Sequence, residues 1–161
     1  MGLEITILVG SMTGTTDVVA KDVQAKLESA GHSATIVDMN GLEASLFSKG
    51  GAYLICTSTY GNGDVPDNAQ GFYQSLLGAA PNFTNVTYGV IALGDRTYGK
   101  TFCEGGRRFD EILTQLGARR AGEILRHDAS AGTFAEDVAS EWVLPWLEND
   151  LAPALEQWSR R

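Results

Sequence analysis

The stretch from Ile5 to Leu27 restricts the fold more than any other part of this chain. Ile5-Thr6-Ile7-Leu8-Val9 is β-branched, apolar and uncharged, as suits a central parallel strand covered on both faces. It passes into Val9-Gly10-Ser11-Met12-Thr13-Gly14-Thr15-Thr16, a loop of glycines and hydroxyls. From Thr16 the apolar positions take helical spacing, at Val19, Val23 and Leu27 with Ala20 and Ala30 beside them. The loop therefore hands its backbone N–H groups to a helix N-terminus, where they lack intrahelical partners and the helix dipole favours an anion. Ser11, Thr13, Thr15 and Thr16 add hydroxyl donors, and Gly14 permits positive φ or the close approach of a ligand. The loop lacks both the G-x-x-x-x-G-K-[ST] spacing of nucleoside triphosphatases and the G-x-G-x-x-G of dinucleotide sites. What remains suits one terminal phosphate held by neutral donors. The same residues also suit an ordinary helix start, since Ser and Thr are common N-caps.

The rest of the chain alternates in the same way. Gly31 is placed to stop the first helix, and strands are expected at Ala34–Asp38, Ala52–Thr57, Tyr88–Leu93 and near Glu123–Arg126. Helices are expected from Asp67, with Asp67 and Gln70 as a reciprocal cap, from Phe102 to Leu116, and from Phe134 onward with a kink at Pro145. Trp142 and Trp146 share one face of that last helix and are expected to pack in the core. Five strands alternating with helices imply an α/β fold: a five-stranded parallel sheet with helices on both faces, three layers in all, within a single domain spanning 1–161. Ligands of such sheets bind at the carboxyl ends of the strands, near a switch in strand order.

Composition narrows the function. A formal net charge of -8 argues against nucleic acid or an anionic membrane as partner and for basic protein partners. No apolar run approaches a membrane span and no signal peptide is visible, so a cytoplasmic protein is expected. Cys56 and Cys103 fit neither a disulfide framework nor a zinc spacing, and both are expected to be free. His32 and His127 stand alone, without a triad or metal constellation, and are expected at the surface; no catalytic or metal-ligating set emerges.

Three glycine- and hydroxyl-rich loops lie at the strand ends: the phosphate loop, Ser58-Thr59-Tyr60-Gly61-Asn62-Gly63-Asp64-Val65-Pro66, and Gly94-Asp95-Arg96-Thr97-Tyr98-Gly99. Tyr60 and Tyr98, each among glycines, would face each other across a slot. Two facing aromatics and one phosphate site suggest a planar ring system on a phosphorylated tail.

The chain resembles the short-chain flavodoxins, of the MioC type, and the FMN domains of sulfite reductase and cytochrome P450 reductase. The resemblance covers nearly the whole chain. It rests on Ser11 to Thr16, on Thr59 to Asn68, on Leu93 to Tyr98 with Phe102-Cys103, and on Leu116-Gly117-Ala118. A flavodoxin-like fold and FMN as cofactor follow from it. Ser11, Met12, Thr13, Gly14, Thr15 and Thr16 would hold the phosphate, and Tyr60 and Tyr98 would stack on the ring. Thr57, Ser58, Thr59, Gly61, Gly63, Leu93, Gly94, Asp95, Phe102 and Cys103 would flank it, and Asp128 is the nearest acidic residue after the fifth strand.

The resemblance implies an electron carrier, reduced by a basic-surfaced flavodoxin/ferredoxin NADP reductase and oxidised by an iron–sulfur or radical enzyme, with biotin synthase as an example. A monomer without nucleic-acid or membrane partners is expected. Two alternatives are an FMN-dependent NAD(P)H quinone or nitro reductase, which needs a nicotinamide site, and a non-redox signalling domain of the same fold. A phosphoacceptor domain needs an aspartate after the third strand, where this chain has Thr57-Ser58-Thr59.

Overall fold

A computed structural model describes residues 2–11, 14–59 and 63–159, without the side chains of Tyr98, Trp158 and Ser159. In chain order the elements are β1 (Glu4–Gly10), α1 (Thr15–Ser29), β2 (Ser33–Asp38), β3 (Gly51–Thr57), α2 (Gln70–Leu77), β4 (Val86–Gly94), α3 (Glu104–Gln115), β5 (Arg119–Arg120), β6 (Leu125–Asp128), α4 (Ala135–Trp146) and α5 (Ala152–Ser159). All strand pairs are parallel, in the order β2-β1-β3-β4, and β5 and β6 both lie on the outer edge of β4. The expected fifth strand is thus two short ones. β5 pairs with Thr87 and Tyr88, β6 with Ile91 to Gly94, and the chain leaves the ladder between them.

Each strand distributes its side chains to two cores, as the pleat requires. Ile5, Ile7 and Val9 of β1 join Leu54, Cys56 and Ile91 beneath α1 and α4, whereas Leu8, Ile55, Val90 and Ala92 face α2 and α3. The first core holds Val19, Val23, Leu27, Val143 and Trp146. Trp142 stacks on Trp146 with ring centroids 5.2 Å apart, and Trp146 Nε1 donates to the Ala121 carbonyl at 2.8 Å, so the tryptophans pack as expected. The second core is a chain of aromatics, Tyr53, Phe47, Phe72 and Phe109.

Two local expectations change. The segment after Pro66 opens as a turn of 3-10 helix, Asp67–Ala69, and Gln70 Nε2 donates to the Val65 carbonyl at 2.8 Å, so α2 proper starts at Gln70. Pro145 sits inside α4, and the backbone widens into a π-helical turn at Leu147–Leu151 before continuing as α5. The bond that Pro145 cannot make belongs to the preceding turn, at the Glu141 carbonyl, whereas the wide turn lies beyond it and leads directly into Pro153 of α5. Among the described residues, no helix is long and apolar enough to cross a membrane.

Candidate functional site

The carboxyl ends of β1 and β3 flank the place where the chain reverses its direction of travel across the sheet. There β1 runs into the phosphate loop. Gly14 is the N-cap of α1 with φ 88°, a left-handed conformation that disfavours side chains, and it offers no side-chain cap of its own. The N–H of Gly14 donates to Ser11 Oγ at 2.9 Å, which curls the loop onto itself. Of the loop, Met12 and Thr13 lie outside the described residues, as do Tyr60 and Gly61 of the second loop.

A clamp that sequence reasoning missed fixes this loop. The Asn68 amide oxygen accepts from Ser11 N at 2.8 Å, while its Nδ2 donates to the Val9 carbonyl at 3.3 Å and to Asp38 Oδ1 at 3.1 Å. One side chain from the start of α2 thereby ties the end of β1 to the end of β2. Asn68 stood inside the second motif, but nothing local to it indicates a bond across 57 residues.

Two buried atoms test whether these residues fit a phosphorylated flavin. Thr16 is wholly buried at the start of α1, and Thr16 Oγ1 has no hydrogen-bond partner among the described residues; Ser58 Oγ, just beyond β3, is likewise buried and without a partner among them. An unmade hydrogen bond to a buried hydroxyl costs about 1 to 3 kcal/mol. Such groups beside an uncapped helix N-terminus suit an acceptor brought by a ligand. Thr57 and Thr59 do different work. Thr57 Oγ1 donates to the Ser58 carbonyl, and Thr59 Oγ1 donates to the Leu93 carbonyl and accepts from Gly105 N. A Cβ on Gly105 would collide with the Ser58 carbonyl, so the glycine lets α3 abut the end of β3.

A cavity of about 380 Å³ opens between the start of α1 and the ends of β4 and β6. It brings together Thr15, Leu93 and Gly94 of the expected set, and adds His127, Gly132, Thr133 and Phe134. His127 was expected at the surface. It is instead buried at 7% exposure, with Nε2 3.0 Å from Thr133 Oγ1, because it alternates inward on β6 where the edge strand is covered by α4. His32 is half-buried, and its Nδ1 accepts from Leu3 N at 3.0 Å. Phe134, at the mouth of the cavity, is 70% exposed.

The turn after β4 is braced by its acids. Asp95 Oδ1 accepts from Thr97 N and Thr97 Oγ1, initiating the 3-10 segment Arg96–Thr101 that carries the backbone of Tyr98; the side chain of Tyr98 lies outside what is described. Asp128 Oδ1 accepts from Arg96 N at 3.0 Å and from Ser130 N and Oγ. The Arg96 N–H, then the Ser130 hydroxyl, hold the Asp128 carboxyl below the usual carboxylate range. Asp128 therefore latches the turn after β4 to the end of β6. Cys103 occupies a left-handed conformation at φ 57° and turns its thiol inward toward the Ala92 carbonyl at 3.3 Å; burial pushes that thiol up to about 12. Both cysteines are free and buried. Gly63 has φ 97° and packs against Glu104, and Phe102 lies under Arg96.

Strand order, hydroxyl loop, helix start and adjoining cavity define a doubly wound protein whose sheet switch point offers donors suited to a phosphorylated ligand. Residues 7–142 match the family described as Flavodoxin. Protein MioC of Escherichia coli O157:H7 is 35% identical over 144 residues, covering 89% of this chain and 96% of MioC. The sulfite reductase [NADPH] flavoprotein alpha-component of Bacillus subtilis is 34% identical over 141 residues, 87% of this chain and 22% of that protein. Among solved structures, a cysteine-to-alanine mutant of a flavodoxin from Pseudomonas aeruginosa superposes with TM-score 0.79 at 36% identity, covering 96% of this chain and 99% of that one. The chain belongs to the flavodoxin family and is an FMN-binding electron-transfer protein.

Proposed function

We propose that this single domain is a diffusing electron carrier of the cytoplasm, reduced by a separate flavoprotein reductase with a basic docking face and oxidised by an iron–sulfur or radical enzyme. The observation that carries the reading is the pair of buried, unpartnered hydroxyls, Thr16 Oγ1 and Ser58 Oγ, beside an uncapped helix N-terminus and the cavity over Leu93 and Gly94. Ser11 to Thr16 would hold the FMN phosphate, with Asn68 positioning Ser11. Tyr60 and Tyr98 would enclose the ring, and the backbone from Thr57 to Gly63 and from Leu93 to Asp95 would line its polar edge. FMN supplies the electron chemistry, so the chain's own work is to bind it, orient it and exclude water.

Similarity to a sulfite reductase flavoprotein component supports reductase-linked transfer. The surplus of carboxylates supports a basic donor surface, and two buried thiols are in keeping with a reducing compartment. The test is the absorption spectrum of the purified protein, followed by NADPH without and with a flavodoxin/ferredoxin NADP reductase. A bound flavin that NADPH reduces only through the reductase, at a rate that falls with salt, is the expected result. Fast direct oxidation of NADPH, indifferent to salt, would instead indicate an NAD(P)H-dependent reductase.

A further inference from the structure

The charge of this chain is strongly segregated. Residues 96–126 carry seven cationic side chains and four carboxylates, a net +3, so the remainder carries −11. The fold gathers part of that positive segment at one edge of the candidate site: Arg96 follows β4, Arg107 lies in the second turn of α3, and Arg126 lies on β6 opposite Ala92. Together with Phe102 and Glu104 they line a polar cavity of about 270 Å³.

We propose that this pocket receives an aspartate or glutamate side chain of a redox partner, so that an otherwise acidic carrier docks one partner through that partner's carboxylates. The three guanidiniums are unequally committed. Arg107 is the most engaged, with bonds of 2.7 to 2.8 Å to Glu104 and Glu111. Arg96 lies over the Phe102 ring, 4.3 Å from its centroid, and its ion pair with Asp128 is a loose 3.6 Å with the arginine side chain 68% exposed. Arg126 is exposed and its guanidinium has, among the described residues, neither an ion pair nor a hydrogen bond. Two guanidiniums thus retain donors for a planar acceptor, the geometry that carboxylates satisfy.

Glu104 faces the same cavity, held there by Arg107, and would repel a phosphate dianion more than a monoanion. A lone carboxylate gains little at so exposed a site. Binding therefore needs a surrounding protein contact, for which the net +3 of residues 96–126 supplies the complementary charge. The pocket adjoins the turn between Gly94 and Cys103, so a partner seated there lies next to the cofactor site; this placement rests on the electron-carrier reading.

The test is a titration of the full-length, 15N-labelled protein followed at the arginine Nε–Hε resonances, with a hexaglutamate peptide, glutarate and inorganic phosphate in separate arms. Hexaglutamate at low ionic strength is expected to shift Arg96 and Arg126, and Arg126→Gln, with unchanged melting temperature, is expected to weaken it roughly fivefold. Equal response to glutarate or phosphate would make the pocket a small-anion site and overturn the docking proposal. Shifts centred on Arg119 and Arg120, or unaffected by Arg126→Gln, would overturn it as well. The titration involves no electron transfer, so failure to bind FMN would count against the carrier reading alone.

Discussion

Thr16→Val separates a phosphate donor from a helix-start residue, because the structure gives its two consequences opposite signs. Thr16 Oγ1 is fully buried with no partner among the described residues, and valine replaces it with a methyl of similar shape. Removing an unsatisfied buried hydroxyl recovers about 1 kcal/mol at the low end of its range. In a protein of this size that raises the melting temperature by about 2 to 4 °C. With FMN bound the hydroxyl meets a charged acceptor, and losing such a bond costs about 1.5 to 3 kcal/mol. At about 1.4 kcal/mol per decade the FMN dissociation constant rises roughly tenfold or more. Riboflavin, which lacks the phosphate, should bind wild type and variant alike. The assays are thermal melts of flavin-free protein and titrations followed by quenching of flavin fluorescence. A lower melting temperature, or equal losses for FMN and riboflavin, would refute the assignment of this hydroxyl to the phosphate.

Other substitutions probe the surroundings. Asn68→Ala should lower stability by about 1 to 2 kcal/mol, by unpairing Ser11 N while the Val9 carbonyl keeps its bond from Met39 N, and weaken FMN more than riboflavin in the same titrations. Gly14→Ala places a side chain at φ 88° and should cost about 1 to 2 kcal/mol, read as a lower denaturation midpoint in urea. On the alkaline side, burial raises Cys103 to about 12 from 9.0 and also raises Cys56 and Tyr88. Groups whose folded values are raised contribute stability that is intact below their ordinary values and lost above them, so melting temperatures should decline above about pH 9. Native protein should leave both thiols unreactive to Ellman's reagent until unfolded. On the acid side the lowered Asp128 contributes stability that is present above its ordinary value of 3.8 and lost as pH falls through its lower folded value; Asp128→Asn should remove that part of the acid transition, measured by melts across low pH.

Where local pattern and tertiary demand coincide, the sequence was sufficient. Ile7 to Val9, Leu54 to Cys56 and Val90 to Leu93 are buried on both faces, and such burial writes itself as continuous apolar runs that are read without knowing the neighbours. The passage from β1 through the hydroxyl-rich loop into α1 was equally legible, because strand, glycine, hydroxyl and helix start follow one another within a dozen residues. The tandem tryptophans announced their packing by spacing alone, Trp142 and Trp146 being one helical turn apart.

What only the tertiary structure decided depends on pairings across long stretches of chain. Which hydroxyls are spent and which remain open is one such matter: Thr59 is consumed by Leu93 and Gly105, whereas Thr16 and Ser58 are left unpaired, a distinction invisible among residues of the same type. The Asn68 clamp, the division of the sheet edge into β5 and β6, and the burial of His127 follow from register and from the helix that covers β6. The use of Asp128 as a latch for the turn at Arg96 is another pairing that only the fold shows. Sequence alone set the periodicities and the chemistry available at the strand ends, because those act over a few residues. The allocation of each polar group to structure or to ligand came from the fold, because a hydrogen bond is committed only when its partner arrives from elsewhere in the chain.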